Sequence, residues 1–155
     1  MEQRSLELES EKARKQMLLA TGRQRLDLLR QAMDDPQLAE ILNTYPSVRM
    51  GLDGPEPRES AVRRYLFCQA LYEQEVLAFR VGVIGWEELY GRMRILLQNP
   101  HFREWWQETK SHRASLPRGS VEARIGSMVD TLVEALEDAD ADDWWAAGDP
   151  PDWSR

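Results

Sequence analysis

At 155 residues, with 42% apolar and 30% charged side chains, the chain has the size and composition of one globular domain. A single cysteine, Cys68, excludes an intramolecular disulfide and any cysteine-rich zinc site, and no apolar run approaches the ~20 residues that span a bilayer. The net charge of −7 is concentrated from Glu137 onward, where seven acids face one base; the nearly neutral remainder holds no basic stripe, which disfavours nucleic-acid binding.

The opening stretch, MEQRSLELESEKARKQMLLA, carries charges throughout and lacks an apolar core segment, so it reads as neither a signal peptide nor a membrane anchor. The expected setting is the cytoplasm, with no membrane partner. From about Ser5 to Met33 there is no proline, and Leu8, Leu19, Leu26, Leu29 and Met33 fall at helical spacing. The residue before Pro36 is pushed out of the α region, so Asp34-Asp35-Pro36 ends this helix. Its first half, ESEKARKQ, is nearly all polar and is expected to project or to pair with another chain. Leu19 and Leu26, in a 3-4 repeat with Gly22, Leu29 and Met33, are the candidates for such self-association.

Pro36 opens a short helix, PQLAEILN, and the proline- and glycine-rich stretch TYPSVRMGLDGPEPRES reads as a long loop. Glu59 to Gly82 is the central helix. Val62, Leu66, Ala70, Val76 and Leu77 form one stripe, and Tyr65, Phe67, Leu71, Tyr72 and Phe79 extend it around the circumference, which predicts a helix buried on all sides. Gly82 suits a left-handed termination, with Val83 and Ile84 plugging the connection.

Trp86-Glu87-Glu88 begins the next helix, in which Leu89, Tyr90, Met93, Leu96 and Leu97 follow the amphipathic template. Asn99-Pro100 is a cap followed by a favoured first residue, predicting a helix to about Leu116. Ser120 caps the last helix, whose apolar face runs from Val121 through Ile125, Met128, Val129, Leu132 and Val133 to Leu136. The remaining stretch, DADADDWWAAGDPPDWSR, is expected to be a flexible acidic tail. The predicted fold is all-α, a compact bundle of five to six helices: residues 1–35 an N-terminal helix, 36–136 the bundle core, 137–155 the tail.

Four features invite a chemical reading. The segment NPHFREWW concentrates aromatics; Phe102, Trp106 and Thr109 share a stripe with Trp105 beside it, which burial explains without a ligand. His101 and His112 are separated by three helical turns, too far to share a metal, and Glu104, Glu108 and His112 would need ligands from another helix. Glu73, in the stripe of the central helix, is either a buried carboxylate with acid–base potential or half of an ion pair with a neighbouring arginine; the ion pair is the expectation. Cys68 lies in the most apolar stretch, where a thiol is inert core. Phosphate-binding loops, nucleophile elbows and zinc-protease motifs are absent, and no cofactor or metal is expected.

The stretches QRLDLLRQAMDDPQLAEIL, YLFCQALYEQEVLAFRVGVIGWEELYGRMRILLQNPHFREWWQET and SVEARIGSMVDTL resemble a family of small helical actinobacterial proteins known only as a domain of unknown function, over residues 24 to 133. Many members carry an N-terminal membrane-spanning helix, which this chain replaces with a polar one. The resemblance implies a helical fold and transfers no activity.

The expected function is a non-enzymatic, regulatory or adaptor-like interaction module. A protein partner would be engaged by the tail through Trp144, Trp145, Trp153, Asp142 and Asp143, and a second copy by the N-terminal helix. The alternative is a small-molecule binding or catalytic protein with a pocket among Tyr72, Glu73, His101 and Trp105. A third reading makes the tail an acidic mimic that occupies a basic nucleic-acid-binding surface.

Overall fold

The computed structural model describes residues 1–49, 51 and 57–138; Glu137 and Asp138 of the expected tail end the last helix, and the rest of it, with Trp144, Trp145, Trp153, Asp142 and Asp143, lies outside the described residues. Among the described residues all regular structure is helical: α1 (Glu2–Asp34), α2 (Pro36–Ile41), α3 (Pro46–Arg49), α4 (Arg58–Arg80), α5 (Trp86–Leu96), α6 (Pro100–Glu108), α7 (Lys110–Ala114) and α8 (Val121–Asp138). The chain divides into two compact units, Met1–Ile84 and a second that begins at Gly85.

In the first unit α4 is the hub, with α1, α2 and α3 all packing on it. Helices α1 and α4 run antiparallel. Lys15 lies by Gly82, Gly22 faces Leu77 and Arg25 pairs with Glu73, so rising numbers on one helix meet falling numbers on the other. Gly22 permits a close approach: a β-carbon there would collide with a Leu77 methyl. The turn to α2 forms as expected, because Asp35 is extended (φ −128°, ψ 111°) and its carboxylate accepts the Gln37 N–H at 2.9 Å.

Three local expectations need correcting in this unit. The long loop contains α3, a single turn anchored by buried Val48 and by Tyr45, whose ring packs edge-on against Tyr65 at 4.9 Å. Helix α4 is not buried all round. Phe67 is 54% exposed, since apolar content does not say which side neighbouring elements cover. At its end Gly82 takes φ +83° and the Val83 N–H returns to the Ala78 carbonyl at 2.9 Å, the left-handed termination expected; Ile84 plugs the connection, but Val83 points to solvent.

The second unit is built on α5 packed against α8. Leu89, Met93 and Leu97 from the first, and Ile125, Met128, Val129 and Leu132 from the second, are buried almost completely. Asn99 caps α6 by accepting the His101 N–H at 2.9 Å, with Pro100 in the first turn, and the Ser120 hydroxyl accepts the Ala123 N–H at 3.1 Å at the start of α8. The helix expected from Asn99 to Leu116 is broken at Thr109, which adopts φ −97°, ψ 10° and separates α6 from α7. The cause is local. Its buried hydroxyl donates to the Trp105 and Trp106 carbonyls and an Arg113 N–H also donates to Trp106; Trp105 keeps its backbone bond from the Thr109 N–H, while Trp106, the acceptor a continued ladder would offer Lys110, is taken by side chains.

Candidate functional site

Each residue singled out from the sequence has a defined place within its own unit. Tyr72 and Glu73 lie half-buried on α4. The Glu73 carboxylate accepts from Arg25 at 3.2 Å and from the Gln69 amide at 2.7 Å, the ion-pair arrangement. In the second unit His101 is exposed on the first turn of α6, its Nδ1 3.8 Å from a Glu104 carboxylate oxygen. Trp105 is 2% exposed, with its ring 5.1 Å from Phe102 and 5.9 Å from Trp106. Leu26 is half-buried and Leu19 is 39% exposed. Glu108 and His112 fall on opposite sides of the Thr109 break, and among the described residues no three His, Cys, Asp or Glu side chains cluster closely enough to hold a metal ion. Cys68 is buried.

The aromatic segment is the interior of the second unit and it carries a polar clasp. The Trp106 indole N–H donates to Asp130 of α8 at 2.8 Å. Arg113 stacks on the Trp106 ring at 3.5 Å from its centroid, donates to the Trp106 carbonyl and to the Thr109 hydroxyl, and comes within 3.7 Å of Asp130. Its stem passes over Gly126, one turn before Asp130 on α8. One guanidinium thereby ties α6, α7 and α8 together, and its side chain is only 15% exposed. Sequence reasoning missed Arg113 altogether, because its partners come from the Thr109 break and from a different helix.

Among the described residues, concave features open to solvent include a cleft and a groove. A cleft of about 540 Å³ lies between α2 and the start of α4, with Ala39 and Val62 as its apolar floor and Glu40, Arg58 and Glu59 on its rim. A shallower groove of about 330 Å³ follows Glu88, Gly91 and Ile95 along α5. In the first, Arg58 donates through two nitrogens to Glu40. Those bonds hold the Glu40 carboxyl below the usual carboxylate range, outweighing the opposing effect of partial desolvation. A carboxyl whose pKa is lower folded than unfolded stabilises above its unfolded pKa, and that contribution is lost as pH falls through the folded value. Glu40→Gln should therefore be less stable than the parent in urea at about pH 6, with the gap closing near pH 3. A gap of constant size across that range would show that the pair does not drive it.

The most exposed element is the first half of α1. Every residue from Met1 to Arg14 is exposed, and the packed face of the helix begins only at Lys15 and Leu18 and deepens to Leu29 and Ala32. Further along, Met17 and Leu28 on the side away from α4 are 70% and 59% exposed. None of the described helices is long and apolar enough to cross a membrane.

These features define an all-helical protein whose distinctive surfaces are a long, half-anchored helix and an open cleft. The chain belongs to DUF6082, a family of unknown function whose model matches residues 2–150. No curated protein and no solved structure matched it.

Proposed function

We propose that this protein is a non-enzymatic interaction module, regulatory or adaptor-like, acting in the cytoplasm. The observation that carries the reading is α1. Its second half is fixed on α4, while its first half continues as helix with every residue exposed. A helical stretch of that length is marginal in water without tertiary packing, which suits a segment that meets another chain. The acidic tail supplies a second contact: tryptophans 144, 145 and 153 set among Asp142 and Asp143 have the composition of a segment that docks into a basic, apolar groove of a partner protein.

Affinity capture from the native host, with the full chain and with a chain lacking residues 139–155 as baits, tests the reading. A partner retained by the full chain and lost on truncation, with helical circular dichroism preserved, is the expected result. Equal recovery by both baits would remove the tail from the interaction, and recovery of nothing by either would overturn the adaptor reading.

A further inference from the structure

We infer that the outer face of α1 is a two-fold interface on which a second copy of this chain lies antiparallel. The inference rests on α1 being an interaction helix and adds the face, the occupant and the polarity. On the side of α1 turned away from α4, Leu6, Ala13, Met17, Ala20 and Leu28 form an exposed stripe with Ser10 and Gln24, stepping alternately by four and three residues from Leu6 to Gln24 and by four more to Leu28. That is the spacing of a helix–helix seam. From Leu6 to Leu28 it extends ~33 Å at 1.5 Å per residue. The Arg25 and Gly22 face is already used against α4, so the stripe is a separate surface.

An isologous two-fold contact needs a surface complementary to its own reverse, and the charges beside the stripe supply one.

The exposed row beside the stripe is antisymmetric in charge. It runs Glu2, Glu9, Gln16, Arg23, Arg30 at intervals of seven. Turning a second helix end for end about Gln16 sets Glu9 against Arg23 and Glu2 against Arg30 of the other copy, twice each by symmetry. Arg30 lies 3.8 Å from Asp27 of its own chain, with its side chain 74% exposed. The opposite flank costs one contact, since Arg14 comes near its own counterpart. A parallel pair would set Glu9 against Arg14 but oppose Glu2 to Glu7 and leave Arg23 against Leu28, so the antiparallel arrangement makes four opposite-charge contacts against two. Such pairing also covers the segment from Met1 to Arg14, which is exposed throughout among the described residues.

Sedimentation velocity on the full chain across micromolar concentrations, with circular dichroism confirming unchanged helicity of each variant, tests the inference. The parent should dimerise, and Met17→Glu should raise the dissociation constant about tenfold or more by placing a charge in the apolar seam. Glu9→Arg and Arg23→Glu should each weaken the dimer severalfold, and the double variant should return it close to the parent value. A dimer indifferent to Met17→Glu would overturn this face while leaving self-association elsewhere. Single swaps whose combination fails to restore pairing would overturn the antiparallel polarity. A parent that stays monomeric throughout would overturn the inference outright, without touching partner capture by the tail.

Discussion

Trp106→Ala should destabilise the second unit by about 3–5 kcal/mol, the range for removing a fully buried aromatic ring. Trp106 is 1% exposed, and three interactions end with it: ring packing on Trp105, the indole hydrogen bond to Asp130, and the platform beneath Arg113. Leaving the guanidinium without its ring raises the cost, because Arg113 is only 15% exposed and cannot simply re-enter water. Trp106→Phe keeps much of the platform and loses the indole donor, so it should cost less, about 1–3 kcal/mol. Urea denaturation followed by circular dichroism reads both. If the two substitutions proved equally mild, the clasp would be a surface decoration and not the centre of the unit.

Leu29→Ala should cost about 2–5 kcal/mol in the first unit. Leu29 is 1% exposed and sits in the stretch of α1 where packing is deepest, between the Gly22 approach to Leu77 and the break at Asp35. Leu8→Ala, at a residue 62% exposed on the projecting half, should stay within about 0.5 kcal/mol. The contrast between two leucine truncations on one helix measures directly where α1 is anchored. Comparable losses at both positions would mean that the first half is covered after all.

Much of this architecture was legible because strong local signals agree with the packing. Asp35-Pro36, Gly82, Asn99-Pro100 and Ser120 each mark a helix boundary by a stereochemical requirement that tertiary structure does not override. The aromatic stripe of α6 reads as burial for the same reason. What stayed hidden depends on partners distant in sequence or on competition between side chain and backbone. Thr109 looks like an ordinary helical residue until its hydroxyl meets the Trp105 and Trp106 carbonyls, and Arg113 looks like one more arginine until that break turns it onto Trp106. Tyr45 and Val48 gave no periodic signal because a single turn is too short to show one. On α1 the 3-4 repeat with Gly22, Leu29 and Met33 points to Leu19 and Leu26, and the charges between them obscure the outer repeat through Leu6, Met17 and Leu28. The tail from residue 139 onward, with its tryptophans, lies outside the described residues.

The unbroken course of α1 has a mechanical consequence. From Glu2 to Thr21 the helix contains neither glycine nor proline, so the exposed half has no hinge against the half clamped to α4. Each residue inserted between them would swing the projecting side chains by about 100° and advance them by ~1.5 Å, given 3.6 residues per turn. The arm therefore works as a shaft keyed to the body. Its length fixes its bearing as well as its reach, and a change of seven residues, close to two whole turns, is the smallest that lengthens it while leaving nearly the same face in front.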